Sequence, residues 1–305
     1  LLSKNLVIIL GPTGVGKSTT SIKLAKKFKG MIINCDSMQV YKGFPIGTDK
    51  LPPEKRENIP HYLLDIVNPD IQFTAADFAK RALEAIDIIL KKKRLPIIVG
   101  GTGLYLKALL DGLFPGPGRD SGLRQKLEKK AEEEGLESLR KKLREVDADY
   151  FQKIGQKDRM RIIRALEIFY LTEKPISEHF KNTSSLIKDF NIIKIGLKLS
   201  RKELYKRIEE RVDKMFKRGI INEVEGLLKN GVNENSPPFR ALGYKYVLKF
   251  LNKEMPLQEA IRLTKRDTRH YAKRQLTWFR KMEGIQWFSP YDFPSLATYV
   301  EKNLE

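Results

Sequence analysis

Residues 6–18 read Leu6-Val7-Ile8-Ile9-Leu10-Gly11-Pro12-Thr13-Gly14-Val15-Gly16-Lys17-Ser18, and this stretch decides the fold. The apolar run Leu6–Leu10 ends in glycine, the mark of a buried strand leading into a loop. Gly11 to Ser18 match the phosphate-binding loop, with both glycines, the lysine and the hydroxyl in place. Lys17 to Phe28 then carries Ile22, Leu24, Ala25 and Phe28 at helical spacing. Backbone N–H groups at such a helix start converge on phosphate oxygens, aided by the helix dipole. Lys17 supplies a point charge, and the Ser18 hydroxyl suits Mg²⁺.

Working outward, Met31–Cys35 reads as a second strand and Pro96–Val99 as a third, closed by Gly100-Gly101. Between them, Phe73–Leu90 is an amphipathic helix with Thr74 as N-cap ahead of Asp77. Thr102–Asp111 returns as a helix. Strand and helix alternate, which predicts an α/β fold: a parallel sheet of the phosphate-loop NTPase kind. The breaker cluster Phe114-Pro115-Gly116-Pro117-Gly118 ends that pattern. Residues 119–180 then read as helix throughout, which predicts an all-helical insertion between a discontinuous core of 1–118 and 181–305. Asn191–Leu199 is a strand that rejoins the sheet, and Ser200–Arg218 and Ile220–Asn230 are helices, the second ending at Gly231.

The chain has 305 residues, of which 41% are hydrophobic, so a packed core is expected and wholesale disorder is excluded. Its formal charge is +20, which suits an anionic partner such as nucleic acid, or else a charge-rich surface. The excess concentrates late: residues 240–281 hold 12 Lys or Arg against 3 Asp or Glu. The single cysteine, Cys35, excludes an internal disulfide and a cysteine-based zinc site and fits a reducing cytoplasm. No apolar run approaches the length of a membrane span and no leader-like segment stands out, so a cytoplasmic location without membrane contact is expected.

Asp36 closes the second strand. A carboxylate there serves as a general base, as a metal ligand, or as a cap on the following turn. ATPases of this class hold Mg²⁺ with an acidic residue at the end of another strand. Here the candidate strand ends in Gly100-Gly101-Thr102, which reads either as a nest of backbone donors or as a helix N-cap at Thr102. Arg262, Arg266, Arg269 and Lys273 are spaced by four, three and four and share a helical face, with Tyr271, Trp278 and Phe279 interleaved. That face either contacts phosphates or is a solvated surface. Arg211 lies in a mixed-charge helix and reads locally as an ion-pair partner. His61, His179 and His270 form no ligand pattern.

Together these segments resemble the tRNA dimethylallyltransferase family in its bacterial form. The matching stretches are GPTGVGKS (11–18), DSMQVYKGFPIGT (36–48), GGTGLYLKALLDGL (100–113), DRMRIIRALE (158–167), RALGYK (240–245) and TRHYAKRQLTWFR (268–280). The resemblance implies transfer of a dimethylallyl group from dimethylallyl diphosphate to the exocyclic amine of the adenosine 3′ to the tRNA anticodon. It implies Asp36 as the base, with Thr102 and Arg211 toward the leaving group. Gly11, Pro12, Thr13, Gly14, Val15, Gly16, Lys17 and Ser18 would hold the diphosphate, with Mg²⁺ on Ser18. For the RNA it implies Ser37, Met38 and Gln39 at the adenine, and Arg124, Met160, Arg161, Ile162, Ile163, Arg164, Arg240, Gly243, Tyr244 and Lys245 beyond it. The insertion would grip the anticodon stem-loop, and a monomer is expected. The chain departs from the family pattern at Arg159, where many relatives carry proline. It has no C-terminal Cys/His finger.

Two other readings carry different chemistry. One is a small-molecule or nucleotide kinase, with Asp36 as base toward an acceptor hydroxyl and an Arg-bearing lid near Arg119–Arg124. The other is a non-catalytic RNA-binding protein built on a phosphate loop.

Overall fold

The computed structural model describes residues 4–114, 116–181 and 183–304; Pro115 of the breaker cluster lies outside the described residues. In chain order the elements are β1 (Asn5–Leu10), α1 (Lys17–Lys27), β2 (Gly30–Cys35), β3 (His61–Tyr62), α2 (Ala75–Lys91), β4 (Leu95–Gly100) and α3 (Gly103–Leu110). The helices α4 (Ser121–Glu133), α5 (Leu136–Val146), α6 (Ala148–Lys153), α7 (Arg159–Thr172) and α8 (Ile176–Lys181) follow. Then come β5 (Asn191–Leu197), α9 (Arg201–Lys217), α10 (Ile220–Lys229), α11 (Leu242–Leu251), α12 (Leu257–Phe279), β6 (Ile285–Phe288) and α13 (Phe293–Asn303). The chain forms two compact units, one of residues up to 109 and from 187 onward, the other of Leu110–Leu186. The second unit is wider on both sides than the 119–180 expected from the breaker cluster.

In the first unit all strands run parallel, in the order β3-β2-β4-β1-β5-β6. Leu6 to Leu10 are fully buried, because a central parallel strand is covered on both faces. Two short strands were not expected from the sequence. β3 has two residues and β6 four, too few for periodicity to register. Thr74 caps α2 as expected, and Asp77 returns the bond to the Thr74 N–H, a full capping box. Across the sheet Leu10, Gly100 and Cys35 stand side by side in register. The loops that follow β1, β4 and β2 therefore leave the sheet at one level, at its carboxyl edge.

The segment between β2 and α2 is almost free of regular structure, yet it is firmly anchored. Val40, Tyr41, Phe44 and Val67 pack with Ile220 and Val224 of α10 and Tyr244 and Val247 of α11. Glu223 of α10 accepts the N–H groups of Ile46 and Gly47 and the Tyr244 hydroxyl. Gly47 is required here: a Cβ would lie 2.5 Å from the Tyr244 ring.

The second unit is all helix among its described residues. Leu127 of α4, Leu139 and Leu143 of α5 and Ile162, Ile163, Leu166 and Ile168 of α7 form its core. Glu167 lies fully buried within α7. It accepts Arg124 and Arg164 in charge-assisted bonds of 2.7–3.0 Å and the Asp120 N–H at 2.8 Å. Burial by itself would raise this carboxyl; those hydrogen bonds outweigh it and hold Glu167 below the usual carboxylate range. Arg159 occupies the first position of α7. Proline is at home at such a position because that N–H has no helical partner, so the departure costs the helix nothing.

Candidate active site

Three loops meet at the carboxyl edge of the sheet and line one cavity of about 1080 Å³ in the first unit. From the β1 loop come Thr13, Lys17 and Ser18, from β2 Asp36 to Gln39, and from β4 Gly100 and Gly101. Arg207, Arg211 and Arg218 of the α9 region form another wall, and Thr264, Thr268, Tyr271 and Gln275 of α12 a further one.

The phosphate loop turns on Gly16, whose φ of 108° suits glycine and opens α1. Lys17 lines the cavity and donates to the carbonyls of Gly11 and Pro12 at 2.8 and 2.9 Å. Burial lowers its ammonium to about 8, a trend that the nearby Asp36 carboxylate opposes and Arg211 reinforces. Arg211 donates to the Thr13 hydroxyl and pairs with Asp49 at 3.1 Å. Arg211 is thus the ion-pair partner read locally, and its guanidinium also touches the phosphate loop.

Asp36 is half-buried, and its Oδ1 accepts the N–H groups of Met38 and Gln39 at 2.9 and 3.3 Å. The cap reading of this residue is therefore real, and it orients the carboxylate beside the cavity. Thr102 opens α3 with its carbonyl, which accepts Tyr105 and Leu106, while its hydroxyl accepts the Ser37 N–H at 3.1 Å. The two strand ends are tied to each other at this point.

The carboxyl end of β4 is closed to side chains at Gly100. A Cβ on Gly100 would lie 1.9 Å from the Cys35 carbonyl, and one on Gly101 2.2 Å from the Gln275 amide nitrogen. An acidic metal ligand of the ATPase kind has no room at Gly100, where the obstacle is backbone; at Gly101 a side chain would first have to displace the Gln275 amide.

Several sequence expectations change. Ile162, Ile163 and Tyr244 are core residues, 0–3% exposed, so their side chains offer RNA no surface. Gly243 packs against Ile220 and Gly47 and lines the cavity through its backbone alone. Arg124 and Arg164 neutralise Glu167, and Arg164 also donates to the Pro117 carbonyl at 2.9 Å. Gln39 turns its amide onto the Thr48 carbonyl at 3.0 Å. In the stripe on α12, Arg262 pairs with Glu259, Arg266 with Asp267 and Arg269 with Glu209, so its charge is largely answered within the chain. Met160, Arg161, Arg240 and Lys245 are exposed.

The residues that connect the loops were not expected from the sequence. Gln275 bridges the phosphate loop and the β4 loop. Lys50, 4% exposed, donates to the Tyr41 carbonyl and to Asp65 and so braces the segment that carries Asp49. Burial and the neighbouring Asp36 carboxylate push the Tyr271 phenol up. The signal for the cavity wall was present in α12: Thr264, Thr268, Tyr271 and Gln275 repeat the spacing of four, three and four on another face.

The chain was compared with known families and structures. Residues 39–282 match the model of the IPP transferase family. The chain belongs to this family. A curated relative, tRNA dimethylallyltransferase 2 of Geotalea uraniireducens, is 45% identical over 97% of this chain and 96% of its own length. Among solved structures of the family, the tRNA isopentenylpyrophosphate transferase of Bacillus halodurans superposes with a TM-score of 0.74 at 38% identity, over 99% of this chain and 97% of that one. A eukaryotic dimethylallyltransferase described as acting on tRNA gives 0.79 at 32% identity, over 98% of this chain and 77% of that one. IPP transferase membership agrees with the α/β fold and with the motifs in the cavity. No helix among the described residues is long and apolar enough to cross a membrane.

Proposed function

We propose that this chain transfers a dimethylallyl group from dimethylallyl diphosphate to the exocyclic amine of the adenosine 3′ to the anticodon in tRNA, releasing pyrophosphate. The observation that carries this reading is the pairing of a complete phosphate loop with Asp36 at one level of the sheet, where Gly100 leaves no room for an ATPase carboxylate. Family membership supports it.

In this reading the phosphate loop, Lys17 and Arg211 hold the diphosphate. As the allylic carbon–oxygen bond breaks, its electron pair stays with pyrophosphate, and these positive groups stabilise the growing charge. The amine nitrogen forms the new bond to carbon and gives up a proton to Asp36. One Asp36 oxygen is held by the Met38 and Gln39 N–H groups, and the other takes that proton. The adenine is stacked within the RNA and must be extruded to reach the cavity. Ser37 and Met38 line that cavity and would meet the base.

The donor set fits magnesium. Among the described residues no cluster of three or more His, Cys, Asp or Glu could cage a metal. Mg²⁺ takes few protein ligands when phosphate oxygens and waters complete its shell. Ser18 would hold it, and it would neutralise diphosphate charge.

The second unit would contact the RNA through Met160 and Arg161. Arg161→Ala should weaken anticodon stem-loop binding and reduce the magnitude of the slope of log affinity against log salt by roughly one contact. A salt titration of both proteins checks this; an unchanged slope removes Arg161 from the interface.

Lys17 gives the site a pH signature. Its ammonium, lowered to about 8, loses its proton as pH rises through that value. Donor affinity should fall above about pH 8, and Lys17→Arg, which stays charged, should lack this inflection. Calorimetric titrations with dimethylallyl diphosphate from pH 6.5 to 9.5 measure it.

The activity itself is tested with labelled dimethylallyl diphosphate and an anticodon stem-loop bearing the target adenosine, in parallel with labelled ATP. Label in the RNA from the first donor is expected. Phosphate transfer from ATP, with no prenyl transfer, would sink the reading.

A further inference from the structure

Gln275 is 6% exposed and stands between the two catalytic loops. Its Oε1 accepts the Thr13 N–H at 2.9 Å, and its Nε2 donates to the Gly101 carbonyl at 2.9 Å. The partners fix the orientation of the amide: reversed, it would set donor against donor and acceptor against acceptor. Each partner leads to one half of the reaction. Thr13 belongs to the phosphate loop and accepts Arg211 through its hydroxyl. Gly101 precedes Thr102, which accepts the Ser37 N–H next to Asp36.

The surroundings are cut to this one side chain. Gly101 has no Cβ, and one would overlap the Gln275 amide at 2.2 Å. Two residues further on, Gly103 admits the Trp278 indole, where a Cβ would meet the ring at 2.5 Å. α12 therefore docks on the β4 loop through two glycines and delivers Gln275 into the gap between the loops. A buried amide with both ends satisfied is worth more in a specified geometry than its bonds are in net stability.

We propose that Gln275 is a positioning residue, which sets the spacing between the diphosphate loop and the loop beside the base. This inference rests on the prenyl-transfer reading. Reacting atoms tolerate little displacement: an error of about 1 Å can cost on the order of 100-fold in rate. Gln275→Met keeps the volume but leaves the Thr13 N–H and the Gly101 carbonyl without their partner. The loops can then drift apart or move to find water.

The test is steady-state prenyl transfer to an anticodon stem-loop, with kcat expressed per site that binds pyrophosphate, so that any loss of folded protein cancels. Gln275→Met should lower this kcat by about 10- to 100-fold, with the KM for RNA within about threefold and pyrophosphate still bound. Gly101→Ala should produce a comparable loss with Gln275 in place, because the new methyl displaces the amide. The double variant Gln275→Ala/Gly101→Ala should be no slower than Gln275→Ala. A kcat within twofold of the parent in Gln275→Met overturns the inference, as does a loss confined to KM, or losses that multiply in the double variant. Should Gln275→Met fail to fold, the Gly101→Ala comparison decides alone: an unaltered kcat there overturns it. If the parent protein itself transfers no label, the functional reading fails instead, and the two failures are distinct.

Discussion

Asp36→Asn should cut turnover by about 100-fold or more, the range for loss of a general base. Asparagine isolates that role. The Asp36 Oδ1 accepts two backbone N–H groups, and an amide oxygen can accept them equally well. The turn after β2 should survive, and affinities for pyrophosphate and for RNA should stay within a few-fold. Asp36→Ala would confound base and cap, because it also releases Met38 and Gln39. Single-turnover transfer, measured beside both affinities, checks the prediction. Asp36→Asn with full single-turnover activity would remove Asp36 from catalysis and leave it as a cap.

The largest stability effect is expected at Glu167. Its carboxylate is fully buried and answers two arginines and a backbone N–H. Glu167→Gln keeps the shape but turns an amide NH₂ toward Arg124 or Arg164, leaving two partly exposed guanidinium groups short of their counter-charge. Breaking a fully buried pair costs about 3–5 kcal/mol, and water reaching the arginines reduces that here to roughly 1–3 kcal/mol. Equilibrium denaturation should show this loss, and proteolysis should locate it in the second unit. A pH dependence accompanies it. The Glu167 carboxyl lies below its unfolded value, so its contribution is complete above that unfolded value and is lost as pH falls through the folded one. The parent should therefore lose stability in acid faster than Glu167→Gln. A variant as stable as the parent at neutral pH would show that Arg124 and Arg164 need no buried counter-charge.

Arg124 and Arg164 also show where sequence reasoning falls short. As arginines in a basic chain they read as RNA contacts, yet their partner Glu167 is a buried residue of α7. No local pattern marks a carboxylate as buried. The arginine stripe on α12 misleads in the same way, since one of its partners, Glu209, lies on α9. Ile162 and Ile163 have no signal that separates them from exposed neighbours in the same motif, and only the packing of α4, α5 and α7 decides it.

By itself the sequence determined the phosphate loop, the strands on either side of it, the capped helix α2 and the helical block after the breaker cluster. These are short-range features, governed by backbone geometry, capping and the period of apolar residues, so they are legible within a window of a few residues. The family resemblance added the expected roles. Only the tertiary structure decided that β4 lies between β1 and β2, which brings Leu10, Gly100 and Cys35 level and sets Asp36 beside Lys17. It also decided that the carboxyl end of β4 excludes a side chain at Gly100, and that Gln275, 262 residues from Thr13 in the chain, joins the two loops. Strand order and long-range contacts depend on how whole elements pack, and no local stretch of residues encodes that alone.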